Sequence, residues 1–205
     1  MNERQQEQLL LLTATLFCIA SFFLFDAPVA RFFSQFSDPI WRKSWKAVTN
    51  AGESQWYLVG GLALFAVYRN RNRRAAMSGL FLFNTVALSG LTADLLKFIF
   101  GRARPKMLLE HGIYGFGFFH ADHPWTSFPS GHSATALSVA LTLSLILPRF
   151  RLAFMAGGIL VAASRVVLCQ HYPSDVVAGS MLGVVTVTLL YQRYFRTALD
   201  EARTI

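Results

Sequence analysis

Three stretches of this chain concentrate residues able to do chemistry. "KFIFGRARP" (97–105) brings Lys97 and Arg104. "SFPSGHS" (127–133) places Ser130, Gly131 and His132 directly before the apolar run "ATALSVALTLSLIL". "SRVVLCQHYPSD" (164–175) brings Arg165, His171 and Asp175. Lys97, Arg104 and Arg165 are three cations that can close around an anion. Arginine offers a planar fork matched to phosphate oxygens, and lysine a point charge. Ser130 suits a helix N-cap, with Pro129 setting the approach of the chain. The first backbone N–H groups of the following helix are then free, and its dipole end is positive. Such an end is a ready phosphate site. Small residues there let an anion reach the backbone, with His132 hanging over it. His171 and Asp175 stand four apart across Pro173. A carboxylate so placed can accept the N–H of one ring nitrogen, fix the tautomer and leave the other nitrogen as a nucleophile.

Each of these residues also has an ordinary reading. Lys and Arg near the end of an apolar helix snorkel to the interface, and Asp175 would serve as a plain N-cap. His111, His120 and His123 read as ordinary polar residues. What sets the cluster apart is convergence: two helix ends deliver cations, and two deliver histidines, to one face.

The elements that must position them are apolar. Of 205 residues, 54% are apolar and 15% charged, against about 25% charged in a soluble domain. Six runs stand out: about 9–25, 52–68, 75–100, 130–147, 152–168 and 176–191. A membrane span needs roughly 20 residues. The expected fold is therefore all-α, a six-transmembrane-helix bundle in one domain covering 1–205, with its site at the non-cytoplasmic face. The first run reads as a retained span, with a removed signal peptide as the alternative. Cys18 and Cys169 sit in apolar surroundings and suit neither a disulfide framework nor a metal site.

Net charge is +8. The basic residues fall in short clusters between apolar runs, which favours membrane orientation over nucleic acid. "RNRNRR" (69–74), "RFR" (149–151) and Arg193, Arg196 and Arg203 mark the cytoplasmic side. Both termini are then cytoplasmic, and 26–51, 101–129 and 169–175 face outward. "RFFSQFSDPIWRKSWKAV" (31–48) reads as an interfacial segment with Trp41 and Trp45 at headgroup depth. The aromatic, glycine-rich 112–128 stretch is placed to shape the mouth of a pocket.

The three motifs together resemble the phosphatidic acid phosphatase type 2 superfamily, which also holds vanadium haloperoxidases and glucose-6-phosphatase-like enzymes. That signature runs Lys, six residues, Arg-Pro; then Pro-Ser-Gly-His; then Ser-Arg, five residues, His, three residues, Asp. Here it is met by Lys97 through Arg104-Pro105, by Pro129 through His132, and by Ser164-Arg165, His171 and Asp175. Arg102 lies outside the signature positions. The resemblance implies that His171 is the nucleophile and carries a phosphohistidine, that Asp175 orients it, and that His132 is the acid and then the base. It implies that Lys97, Arg104, Arg165, Ser130 and Gly131 hold the phosphoryl oxygens, and that no metal or other cofactor is needed. No carboxylate cluster suited to Mg²⁺ accompanies the motifs, and Asp94 and Asp122 are isolated in sequence.

With six runs, the resemblance implies a lipid phosphate substrate: undecaprenyl diphosphate, phosphatidylglycerol phosphate, phosphatidic acid or a lipid A phosphate. The expected partners are that substrate and membrane lipids, with no nucleic acid and no obligatory protein partner. The expected location is a bacterial inner membrane, with the site facing the periplasm. Two other readings stay open: a lipid phosphotransferase using the same phosphohistidine, and a non-enzymatic anion-binding or transport protein. The latter explains the cations but not the histidines.

Overall fold

The computed structural model describes residues 3–200; Arg203 lies outside them. Every one of the six apolar runs is helical. α1 (Glu3–Leu24) turns at Phe25 into α2 (Asp26–Ser34), and the pair is bent by 62°. α3 (Pro39–Asn50) opens on Asp38, whose carboxylate accepts from the Trp41 amide at 2.8 Å. α4 (Ser54–Tyr68) leads through the arginine-rich turn to α5 (Arg73–Phe100). α5 starts on an Asn72 cap and ends at Gly101, which holds φ +53°. Glycine takes that left-handed conformation without the Cβ penalty and stops the helix. α6 (Pro105–His111), α7 (Gly131–Ile146), α8 (Arg151–Val167) and α9 (Pro173–Leu190) follow. α9 runs on through a π turn, Tyr191–Phe195, into α10 (Arg196–Asp200).

Among the described residues, three helical stretches are long and apolar enough to cross a membrane: Arg73–Phe100, Pro148–Val167 and Pro173–Asp200. The bent α1–α2 pair makes a fourth if taken as one span. α4 has 15 residues and α7 has 16, short of the roughly 20 that a full span needs. α5, with 28 residues, rises about 42 Å and outruns a hydrocarbon core of about 30 Å.

Packing explains how a helix as short as α7 fits. Lipid gives helices no hydrophobic reason to associate, so close backbone approach at small residues does the work. α7 is enclosed: every residue from Ser133 to Ala140 is buried. On one side Gly158 of α8 lies against it, where a Cβ would come 2.7 Å from Ala140 Cβ. On another, Gly179 and Gly183 of α9 press on it, and a Cβ on Gly179 would collide with the Ser130 carbonyl. Gly61 and Gly79 bring α4 and α5 together in the same way. Hydroxyls cross the α5–α7 contact, Thr85 to Thr142 at 3.2 Å and Ser138 to Ser89 at 3.0 Å. Leu91, Leu95, Leu152 and Ile159 are exposed on the outer surface of the bundle.

At the end where α5 stops and α7 begins, α2, α3, α6 and the 112–130 loop gather. The 31–48 segment forms the second half of α2 and most of α3. Its aromatic rings make a ladder, Phe33–Phe36–Trp41–Trp45, with successive centroids 6.1, 5.6 and 5.7 Å apart.

Candidate active site

The three motif stretches meet at that end. Ser130 caps α7 as expected: its hydroxyl accepts from the Ser133 hydroxyl at 2.9 Å and from the Ser133 amide at 3.4 Å. Lys97 reaches the same helix end. A Cβ on Gly131 would lie 3.0 Å from Lys97 Nζ, so the glycine makes room for the ammonium. Lys97 also pairs with the exposed Asp94 at 2.7 Å.

Arg165, 8% exposed, donates through Nη1 to Thr49 Oγ1 at 2.8 Å, and its Nε is buried without a partner among the described residues. One edge of its fork is anchored and the other keeps a free donor. Arg104 is braced by the loop, with Nε 3.0 Å from the His123 carbonyl and Nη2 3.3 Å from Thr126. His132 stands beside Gly52, where a Cβ would sit 3.1 Å from its ring.

His171 is 3% exposed. Its Nδ1 lies 2.7 Å from the Ser127 carbonyl oxygen. A carbonyl can only accept, so Nδ1 carries the hydrogen and Nε2 keeps its lone pair. The nearest Asp175 oxygen is 3.7 Å from Nδ1, beyond hydrogen-bond range. Asp175 thus acts on the imidazole as a nearby charge, and the backbone of Ser127 sets the tautomer.

Asp175 has other partners. It accepts from Ser127 Oγ at 2.6 Å and from the Tyr172 amide at 2.9 Å. The second contact is half of a capping box, since Asp175 is the third residue of α9. It also receives a short bond from Arg102 Nη1.

Arg102 is the hub of the region. It is 1% exposed, and besides Asp175 it donates to Asp26 at 2.7 Å, to Ser174 Oγ at 2.7 Å and to Tyr114 at 3.1 Å. The rings of Phe22, Tyr114, Phe116 and Tyr172 surround its guanidinium, with centroids 4.5–5.6 Å away. Asp26, also fully buried, accepts from Ser21 Oγ at 2.6 Å and from the Ser174 amide at 3.1 Å, so it caps α9 from α2.

A family model described as the PAP2 superfamily matches residues 78–198, a segment that contains all three motif stretches. The chain belongs to the PAP2 superfamily. The lipid A 1-phosphatase of Rhizobium johnstonii is 37% identical to it over 177 residues, which cover 80% of this chain and 71% of that protein. Two crystal structures share the fold. The transmembrane PAP2-type phosphatidylglycerolphosphate phosphatase of Bacillus subtilis superposes with a TM-score of 0.68 at 22% identity, covering 91% of this chain and 94% of that one. Aquifex aeolicus LpxE superposes with a TM-score of 0.61 at 20% identity, covering 82% and 94%. The PAP2 chain is an integral membrane phosphatase.

The electrostatics of this PAP2 site suit a neutral imidazole. Burial pushes His171 down to about 4; Asp175 opposes this, and the charges of Arg104 and Arg165 add to it. Arg104 is itself lowered by burial, with Asp175 opposing. For Arg102 burial also lowers, yet Asp175 and Asp26 outweigh it and hold the guanidinium above its ordinary range. No group of three or more His, Cys, Asp or Glu suited to a metal ion occurs among the described residues.

All eight residues singled out by motif lie in this region. Sequence reasoning missed Asp26, Thr49, Ser127 and the role of Arg102. One signal pointed to Asp26: an acidic residue at the very end of an apolar run is a functional candidate by default.

Proposed function

We propose that this protein removes a phosphate from a membrane lipid, with the 1-phosphate of a lipid A type headgroup as its substrate, through a phosphohistidine on His171. The observation that carries the mechanism is the His171 Nδ1 to Ser127 carbonyl bond at 2.7 Å, which leaves Nε2 as the unprotonated nitrogen. The 37% identity to a lipid A 1-phosphatase supports the substrate. The whole chain acts as one domain.

In the first step the Nε2 lone pair of His171 attacks phosphorus. The bond from phosphorus to the lipid oxygen breaks, and that oxygen takes a proton from His132. Burial and then the charges of Arg165, His171 and Lys97 hold this imidazole down at about 3 in the free site, so it gains that proton when the phosphate dianion binds beside it. In the second step water attacks the phosphohistidine, His132 takes the water's proton, and the P–N bond breaks to release phosphate. Lys97, Arg104, Arg165 and the α7 N-terminus at Ser130 and Gly131 hold the phosphoryl oxygens. Stabilising charge on those oxygens is most of what phosphoryl transfer asks of a protein. Nothing in this sequence of steps calls on a metal. Asp175 keeps the imidazole poised. The helices of the six apolar runs, the short α4 and α7 among them, cross a bacterial inner membrane with both termini cytoplasmic, and the site opens to the periplasm.

The test is phosphate release in detergent with EDTA present, from lipid A, phosphatidylglycerol phosphate, phosphatidic acid and undecaprenyl diphosphate. Lipid A is expected to give the highest kcat/KM without an added acceptor. Release that requires Mg²⁺, or phosphate appearing only on a second lipid, would overturn the reading.

A further inference from the structure

Two cavities adjoin on the outer side of Arg104. One, of about 370 Å³, is bounded by Phe33, Phe36 and Arg42 of the α2–α3 turn region and by Lys106 and Gln170. The other, of about 330 Å³, is bounded by Arg104, His111 and His123, and again by Lys106 and Gln170. They also share Glu110 and Cys169, so they adjoin along a common lining. Each has the volume of on the order of ten waters, more than a glycerol headgroup fills.

The lining mixes apolar and polar side chains, and most of its charged groups are cations. Glu110 is the one acidic residue among the described residues lining either cavity, and it stands 3.8 Å from Lys106. His123 is held below the ordinary histidine range, first by Arg104, then by burial, then by Lys97 and Lys106. Phe33 and Phe36 belong to the aromatic ladder, which marks headgroup depth. A headgroup in the first cavity would therefore stand level with the bilayer surface, and one in the second would touch the residue that also faces the phosphate.

We propose that the joined cavities are a headgroup subsite: they take the sugar portion of a glycolipid phosphate beyond the scissile group, with Arg42 and Lys106 facing a second anion on that sugar. This rests on the lipid A reading above. Arg104 lines the second cavity and stands between it and the phosphate site, contacting the scissile phosphate on one side and the sugar on the other.

Two measurements separate this subsite from the reaction it serves. In the first, Arg42→Glu/Lys106→Glu is assayed on doubly phosphorylated lipid A and on phosphatidic acid. Both residues are exposed, and neither holds the scissile phosphate. KM for lipid A should rise about tenfold with kcat within about twofold, from reversing two rim charges. KM for phosphatidic acid, an anionic lipid without a sugar, should move less than about twofold. In the second, the Cys18→Ala protein is alkylated with a small maleimide in the presence of the deacylated, doubly phosphorylated glucosamine disaccharide. Cys169, which lines both cavities, should be shielded, and the shielding should be lost in the charge-reversed variant. Unchanged KM together with unshielded Cys169 would overturn the subsite even if lipid A is hydrolysed. Shielding without phosphate release would keep the subsite and overturn the reaction.

Discussion

His171 is buried within reach of the charges of Arg104 and Arg165, and burial first of all decides its protonation. Its folded value of about 4 lies below the ordinary 6.5. A depressed histidine contributes to stability fully above about pH 6.5, and that contribution fades as pH falls through about 4. The imidazole is therefore neutral throughout the physiological range. NMR titration of ring-labelled histidine, with His171→Ala for assignment, should find this imidazole neutral at pH 5.5; a midpoint near 6.5 would contradict the burial argument. Two arginines can be told apart at the same scale. Arg165→Lys keeps the charge and loses the fork, so it should fold normally and lose about 10²-fold in kcat. Arg102→Lys leaves parts of two buried carboxylates uncompensated. It should destabilise by about 3–5 kcal/mol, read as a fall in melting temperature in detergent. If Arg165→Lys turns over normally, or Arg102→Lys melts like the parent, the two roles have been exchanged.

At the scale of elements, glycines decide how closely α7 is enclosed and how near the cations come. Gly179→Ala sets a methyl against the Ser130 carbonyl, a backbone atom that cannot step aside. It should push α9 from the N-terminus of α7 and lower both stability and activity. Gly131→Ala meets only the flexible end of Lys97, so it should keep the parent's melting temperature and lose activity; equal loss of stability in both variants would refute the distinction. The helices and motif positions were legible in sequence because apolar runs and short fixed spacings are local. The Arg102 hub was not. Its carboxylates stand 76 residues before it and 73 after it, and no local periodicity links them. Thr49 was hidden for the same reason: the 31–48 segment read as a surface anchor, and nothing in its pattern showed that the next residue would reach Arg165 on α8. Ser127 contributes a backbone carbonyl, which side-chain pattern cannot reveal. Short α4 and α7 were readable as apolar runs, but the enclosure of α7 by glycine contacts was not.

For the whole molecule, the arginine-rich turns and the site should lie on opposite sides of the membrane. In a background of Cys18→Ala and Cys169→Ala, Ser37→Cys and Asp122→Cys should react with an impermeant thiol reagent in cells whose outer membrane has been permeabilised. Arg71→Cys should not; that position is preferable to Asn72, which caps α5. The opposite pattern would place the site in the cytoplasm.

The central claim is that His171 carries the phosphoryl group and His132 handles the protons. The two roles separate when the leaving group needs no acid. A lipid alcohol leaves as an alkoxide whose conjugate acid is about as weak as water, pKa roughly 15. A lipid diphosphate instead releases a lipid phosphate with a relevant pKa of about 6. His132→Ala, given a labelled lipid diphosphate and followed by rapid quench, should release about one lipid phosphate per enzyme in a burst and build up an acid-labile, base-stable label on His171. Steady turnover by His132→Ala, or label on the protein when His171 is replaced by alanine, would contradict the account.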